Sequence, residues 1–137
     1  MMDRSRSCCQ MQISLPATLE AVEEFFVKFR RCGRASLTPQ QCFTAELLAR
    51  EALNNAVVHG CRADPNKQIH CSVRLKGGRL LIVVHDEGEG FDWRAAWGNR
   101  SEVSVPSGRG IELMRTYATR VRFNERGNAV TIVKRCR

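Results

Sequence analysis

Two polar residues one helical turn apart are the first candidates for chemistry in this sequence. Glu51 and Asn55 are four positions apart within residues 51–60, a segment of good helix formers, so their side chains project from one helix face. A carboxylate placed there can act as a general base, and the neutral amide oxygen of Asn suits Mg²⁺, which binds few protein groups. The competing interpretation is a solvated Glu–Asn pair, and this segment alone does not separate the two.

An acidic turn rich in glycine follows an apolar run at residues 81–84. Asp86 stands where this predicted strand ends, and Gly88 and Gly90 follow at alternate positions. An ionised Asp only accepts hydrogen bonds, so it can select adenine through the exocyclic amino group. The glycines allow a close backbone approach or a positive φ. The alternative is an ordinary acidic turn, whereas a dinucleotide-binding fingerprint would require glycine where Trp93 stands.

A third group, Ser107, Gly108, Arg109 and Gly110, precedes a helix predicted at residues 110–118. Backbone N–H groups at a helix N-terminus bind anions, and glycine keeps side chains out of their way. Arg109 would add a charged fork that fits a phosphate. The alternative is a flexible loop that caps the helix.

Two helices that position the first pair are predicted from apolar periodicity and from capping residues. Residues 17–31 carry an apolar stripe rich in phenylalanine, and Gly33 can adopt the left-handed conformation that would end this helix. Thr38 and Gln41 form a capping box ahead of the second helix, which is predicted to continue to about His59.

The remaining elements are strands and one late helix. The predicted order is β-α-α-β-β-loop-α-β-β, with strands at residues 10–15, 68–75, 79–86, 120–124 and 129–134, a long loop at 87–107, and a short helical turn near 92–97. Strands that are neighbours in sequence, with helices grouped between them, imply an α+β fold. We expect a two-layer sandwich with helices packed on one face of a mixed, mainly antiparallel sheet.

The composition is that of a globular domain. The 137 residues fit one domain, which we place at residues 10–137 behind a flexible N-terminal tail at residues 1–9. No run approaches the ~18 apolar residues of a membrane helix, and no signal peptide precedes the domain. The seven scattered cysteines fit reduced thiols. These observations predict a cytoplasmic protein.

The net charge of +8 is spread over the whole chain rather than gathered in one arm. Such spreading is typical of a solvated surface or of one that meets an acidic partner. Direct nucleic-acid binding is not favoured, because no known reading element accompanies the charge. A zinc site is not favoured either, since His70 and Cys71 are neighbours on a predicted strand and point to opposite faces.

Together, the patterns ExxxNAxxHG (residues 51–60), DxGxG (86–90) and GxG (108–110) resemble the N, G1 and G2 boxes of the gyrase/histidine-kinase/MutL (GHKL) ATPase superfamily. The Bergerat fold of that superfamily, a helical layer on a mixed sheet, agrees with the predicted order. The bare domain, its first strand and its ending are most similar to anti-sigma-factor serine/threonine kinases of the RsbW/SpoIIAB type. The resemblance covers nearly the whole chain after Gln10.

This resemblance implies a function and assigns roles to the candidates. It implies a serine/threonine protein kinase that phosphorylates a STAS-domain anti-anti-sigma partner, sequesters a sigma factor, and uses ATP and Mg²⁺. Glu51 would be the catalytic base and Asn55 the Mg²⁺ ligand. The other implied roles are adenine binding by Asp86, shaping of its pocket by Gly88 and Gly90, phosphate contacts from Ser107, Gly108, Arg109 and Gly110, and a mobile ATP lid at residues 91–107.

Relatives of this type form dimers. The first strand leaves an unpaired sheet edge, and the phenylalanine-rich helix leaves an apolar stripe, so we expect a homodimer. Two features depart from the family pattern: the lid is short, and Ala129 stands where a Thr is common. They leave two alternatives open. One is an ATP-binding sequestering module without kinase activity, and the other is a detached histidine-kinase-like catalytic domain.

Overall fold

Five strands form one antiparallel sheet in the computed structural model, which describes residues 10–90, 92–94 and 106–135, with the backbone alone for residues 35, 36 and 106–111. In spatial order the strands are β1 (Gln10–Pro16), β2 (Gln68–Lys76), β3 (Arg79–Asp86), β5 (Ala129–Arg135) and β4 (Arg120–Phe123). The predicted α+β class is confirmed. Every strand pair in the described residues is antiparallel, so the sheet is more uniform than the mixed one expected.

The core lies on one face of this sheet because the strands alternate between apolar and polar residues. Val73, Ile82 and Ile132 occupy directly opposite positions on β2, β3 and β5, and all three are fully buried. Burying each such side chain stabilises the fold by roughly 1.5–3 kcal/mol. The helices cover this inner face.

The first helix, α1 (Leu19–Ser36), begins after the N-cap Thr18, whose hydroxyl accepts a hydrogen bond from the N–H of Ala21. Its three phenylalanines pack against one another in the core, so they are not available as a dimer seam. The predicted end at Gly33 is wrong. The helix continues to Ser36, and a Cβ added at Gly33 would make a tight contact of 3.1 Å with the Sγ of Cys42, so glycine favours close helix packing here.

The second helix, α2 (Pro39–Asn55), has the predicted capping box. The Thr38 hydroxyl accepts from the N–H of Gln41, and the Gln41 side chain accepts from the N–H of Thr38. The helix then widens into one π-helical turn, Ala56–Gly60. The predicted end at Gly60 is therefore confirmed, although periodicity did not reveal the change of helix type.

The last helix, α3 (Pro106–Tyr117), begins four residues before the predicted start. Proline is favoured in the first turn of a helix, where its missing N–H has no intrahelical partner to lose. Residues 107–110 therefore belong to the first helical turn instead of preceding it. Residues 93–94 are helical, as expected near 92–97. The predicted tail at residues 1–9 and most of the predicted lid at 91–107 lie outside the described residues.

The cysteines differ from the expectation of reduced thiols at one position. Cys42, Cys61 and Cys71 are free, whereas Cys32 is disulfide-bonded. Among the described residues, no helix is both long and apolar enough to span a bilayer.

A cluster of arginine and glutamate side chains links α1 to α2 outside the hydrophobic core. Arg50 forms ion pairs with Glu23 and Glu46, and its guanidinium lies 4.4 Å from the ring centre of Phe26. Arg30 completes the cluster with a two-pronged contact to Glu46, at 2.7 and 3.0 Å. Hydrogen bonds from these two arginines lower the pKa of the Glu46 carboxyl.

We predict that Arg50→Ala lowers the free energy of unfolding by about 1–2 kcal/mol, because it removes one cation–π contact and two ion pairs. Urea unfolding followed by circular dichroism measures this. Arg31→Ala, an exposed change on the same helix layer, serves as the control. Equal effects of the two changes would show that the cluster does not couple the helices.

Candidate functional site

The π-helical turn at the end of α2 determines the backbone path around the site. The N–H of Cys61 donates to the carbonyl of Ala56, five residues earlier, at 2.8 Å, and the N–H of Ala63 donates to Val57 at 2.7 Å. A π turn is wider than an α turn and is often found at functional sites. Here it brings Gly60 against the end of strand β3.

Asp86 ends β3 with its carboxylate almost completely buried, at 4% exposure. Its Oδ1 accepts a hydrogen bond of 2.7 Å from the N–H of Gly88. A Cβ added at Gly60 would lie only 2.5 Å from Oδ2. Desolvation raises the pKa of Asp86, and the Gly88 N–H partly opposes this by lowering it. The strand end therefore holds a buried carboxylate that is costly to ionise.

The two glycines after Asp86 are required by contacts within the protein. A Cβ at Gly88 would lie 1.8 Å from the carbonyl oxygen of Gly60. Gly90 has a φ of +89°, and a Cβ there would lie 1.9 Å from the carbonyl oxygen of Arg126. The two glycines thus allow the close backbone approach that we expected, and the backbone they approach is that of neighbouring segments of the protein. These segments form the wall of the site behind the Asp86 carboxylate.

Asp86 and Asn55 share one small cavity between α2, α3 and the sheet. Its volume is about 10 Å³, roughly the space of one water molecule. The lining residues are Ala52, Asn55, Ala56, Val84, Asp86, Met114, Phe123, Asn128, Ala129 and Val130. A purine is far larger than one water molecule.

Asn55 is the least satisfied polar residue of this cavity. It is 9% exposed, and its Nδ2 has no hydrogen-bond partner within the described residues. An unpaired buried amide costs roughly 1–3 kcal/mol, which indicates that a ligand completes the site. Turning the amide about its χ2 bond presents its oxygen instead, and oxygen is the donor that Mg²⁺ prefers. The residue present therefore fits a magnesium-bound nucleotide.

Glu51 lies one turn before Asn55 on α2, half-buried and outside the cavity lining. Desolvation raises the pKa of its carboxyl, and the nearby charge of Arg50 partly lowers it. A raised carboxyl pKa moves towards the range in which a general base works best. The structure thus brings Asn55 and Asp86 together and leaves Glu51 beside them.

The third predicted group, residues 107–110, is connected to the cavity through helix α3. Residues 107–110 form the first turn of α3, and Met114, one turn further along, lines the cavity. Because α3 begins at Pro106, the N–H groups of Ser107 and Gly108 have no intrahelical acceptor and remain available to an anion.

Sequence reasoning predicted a hairpin turn at residues 126–128 between β4 and β5 but missed the network of asparagine side chains that holds it. The Oδ1 of Asn124 accepts from the N–H groups of Gly127, Asn128 and Ala129 at 2.8–3.2 Å, and its Nδ2 donates to Asn128 at 2.6 Å. This network holds Asn128 at the cavity, where its Nδ2 lies 3.4 Å from the carbonyl oxygen of Asp86. Asn at both ends of a glycine-containing turn was the available signal.

Trp93 supports the same region, as expected of a residue that anchors the segment after β3. Its ring stacks on Phe123 with centroids 5.2 Å apart, and Arg94 lies over its other side at 4.6 Å. Phe123 lines the cavity, so this stack links the segment to the site. The potential zinc ligands His70 and Cys71 lie on opposite faces, one exposed and the other buried.

The model of the histidine kinase-like ATPase domain matches residues 15–134, and the chain belongs to this family. The anti-sigma F factor of Shouchella clausii is 34% identical over 54 residues, covering 39% of this chain and 37% of the relative. That of Anoxybacillus flavithermus is 27% identical over 94 residues, covering 61% and 60%. The matches thus span less than two thirds of either relative.

Among solved structures, the histidine kinase domain of a blue-light-activated kinase from Erythrobacter litoralis superposes with a TM-score of 0.53. It is 20% identical and covers 69% of this chain and 44% of that one. At this identity the match shows the fold. Family membership makes ATP the ligand expected in the cavity of Asn55 and Asp86.

We predict that Asp86→Asn is at least as stable as the parent protein at neutral pH. The folded-state pKa of Asp86 is raised above its ordinary value of 3.8, so the ionised carboxylate destabilises the fold at high pH, and stability is gained as pH falls through that raised pKa. Urea unfolding at neutral and mildly acidic pH should show an advantage of the Asn variant that shrinks on acidification. Glu89→Gln, at an exposed carboxylate, is the control.

Proposed function

We propose that this protein is an ATP-binding anti-sigma regulatory factor. In this proposal it transfers phosphate to a Ser or Thr of a STAS-domain anti-anti-sigma partner and sequesters a sigma factor. The observation that carries the nucleotide part is the unpaired amide of Asn55 buried beside the Asp86 carboxylate. The regulatory part rests on the similarity to two anti-sigma F factors. Its action in the cytoplasm belongs to the same proposal.

Each residue has a distinct task in the proposed reaction. Asp86 accepts a hydrogen bond from the adenine amino group, and Asn55 supplies an oxygen to Mg²⁺. Bound there, the metal neutralises phosphate charge. The start of α3 at residues 107–110 binds the phosphates through its free N–H groups and the Arg109 side chain. Gly88 and Gly90 hold the pocket wall in place.

Glu51 accepts the proton in the proposed transfer. The hydroxyl oxygen of the partner attacks the γ-phosphorus, the bond between that phosphorus and the β–γ bridging oxygen breaks, and ADP leaves. The hydroxyl proton passes to the Glu51 carboxylate. Such transfer depends mainly on positioning and charge neutralisation, so one base, one metal and a helix N-terminus suffice.

A second candidate is a sequestering module that binds nucleotide without transferring phosphate. Two observations favour it: the cavity is small, and its wall has Ala129 where relatives commonly carry a Thr. A detached histidine-kinase-like domain is the remaining alternative. A homodimer also remains a proposal, and with the phenylalanines buried it would use the open edge of β1.

We predict that the protein binds ADP and ATP with Mg²⁺ in preference to GTP, because guanine presents a carbonyl to the Asp86 acceptor. Asp86→Asn should cost about 1–3 kcal/mol of ADP binding, measured by isothermal titration calorimetry. Glu89→Gln is again the control. Unchanged ADP affinity in a folded Asp86→Asn protein would eliminate the adenine role.

Glu51→Ala should leave ATP binding nearly intact and slow transfer to a cognate STAS protein by about 10²–10⁴-fold. Asn55→Ala should weaken Mg²⁺-dependent binding and transfer together, because one metal serves both. Labelled ATP and the purified partner provide the assay. In the parent protein, transfer should decline as pH falls through the raised pKa of Glu51, above the ordinary 4.5 of glutamate.

Two results would change the assignment. If the parent protein transfers no phosphate but binds a sigma factor, the sequestering module becomes the better account. If Glu51→Ala and Asn55→Ala reduce nucleotide binding equally, Glu51 has a structural or binding role and is not the base.

A further inference from the structure

The outer face of the sheet, opposite the nucleotide cavity, carries charge of one sign. Strand residues that alternate with the buried ones face outwards. The outward charged positions of β2, β3, β4 and β5 are basic and exposed: Arg74, Lys76, Arg79, Arg120, Arg122 and Arg135. None of these six side chains forms an ion pair with another residue of the described part of the chain. Within the described residues, no carboxylate pairs with a cation of this face.

The strand register concentrates the charge at one end of the face. Arg79 lies directly opposite Lys76 on β2 and directly opposite Arg135 on β5. Like charges at directly opposed positions destabilise a sheet. Three cations in one row therefore carry an energetic penalty that an anionic partner would remove.

The next row places apolar residues between cations, and the row after it has a cation at its β4 end. The first of these rows reads Arg74, Leu81, Val133 and Arg120 from β2 to β4. The row after it reads Ser72, Val83, Thr131 and Arg122. Leu81, Val83 and Val133 are half-buried, and no described element covers them. The face is thus an apolar strip with a basic margin on both sides and at one end.

The width of this strip matches one kind of occupant. Arg74 and Arg120 are separated by three strand spacings, or about 14 Å, while an α-helix with its side chains is about 10–12 Å across. A helix lying along the strands would rest on the apolar strip, and acidic residues on its two flanks would meet the two basic margins.

We propose that this face docks an acidic amphipathic helix of a partner protein. The helix presents an apolar stripe to Leu81, Val83 and Val133 and carboxylates to the flanking arginines. This proposal is independent of the proposed kinase activity, since the cavity of Asn55 and Asp86 lies on the other face of the sheet.

Other occupants fit less well. Pairing with the same face of a second copy would bring the cations against one another. A single-stranded nucleic acid stacks its bases on aromatic side chains, and the outward strand positions within the described residues include no Phe, Tyr or Trp. Duplex DNA bound only through its phosphates would need the basic residues of this face but not the apolar strip between them.

Fluorescence anisotropy with a labelled helical peptide of about 15 residues, with one leucine stripe and glutamates on both flanks, tests this proposal on the full chain. A scrambled peptide of equal composition but without the stripe is the first control. A duplex of about 20 base pairs is the second. All are compared at about 0.1 M salt, where exposed charges are only partly screened.

The face variant Arg74→Glu/Arg120→Glu should weaken binding of the striped peptide by about 10-fold or more. The matched variant Lys28→Glu/Arg31→Glu makes the same charge change at exposed positions of α1 and should alter it by less than about threefold. Leu81→Gln, which keeps every charge, should also weaken the striped peptide. ADP affinity should be the same in all of these proteins, which separates this test from that of the nucleotide site.

Several results would overturn the proposal. These are no binding of the striped peptide, equal binding of the scrambled peptide, or equal losses in the face and α1 variants. Tighter binding of the duplex, lost in the face variant, would make nucleic acid the occupant. Self-association by light scattering that the face variant abolishes would make it a second copy.

Discussion

The buried contact between the Asp86 carboxylate and the backbone around Gly60 and Gly88 is the constraint on which the site depends. It joins the last residue of a central strand to the turn that ends α2. The carboxylate sits against Gly60 and accepts from the N–H of Gly88, and the Gly60 carbonyl sits where a Cβ of Gly88 would lie. The two glycines thus leave room for the carboxylate and for the close approach of the two backbone segments, which a Cβ at either glycine would obstruct.

The π turn is the other half of this junction. An α-helix continued to Gly60 would follow a narrower path, whereas the wider turn places Gly60 against the strand end. Asn55 lies just before the turn and becomes buried with one polar atom unpaired. Both the raised pKa of Asp86 and the orphaned amide of Asn55 reduce stability. Such costs are typical of binding sites, which exchange stability for interactions with a ligand.

The two faces of the sheet serve different purposes. The inner face is apolar and ends in the carboxylate of the Asn55–Asp86 cavity, while the outer face carries basic and apolar side chains that no described element covers. Because side chains alternate along every strand, one backbone supplies both surfaces without interference. A protein that binds a small ligand on one face can therefore bind a protein partner on the other.

Local sequence signals predicted most of the elements. Alternation specified the strands within one or two residues, and the capping box at Thr38 located the start of α2. The sequence could not reveal that Gly33 lies inside α1, because the reason is the distance to Cys42 on another helix. Nor could it locate the start of α3, since a glycine-containing segment after proline is equally compatible with a loop.

The sequence by itself determined the residue types available for chemistry and the spacing of Glu51 and Asn55 on one helix face. Only the tertiary structure decided that Asn55 and Asp86 share a cavity, and that Asn124 organises its far wall through Asn128. The physical reason is that periodicity reports which face of an element is apolar, whereas burial, desolvation and unpaired polar atoms depend on what the rest of the chain places against that face.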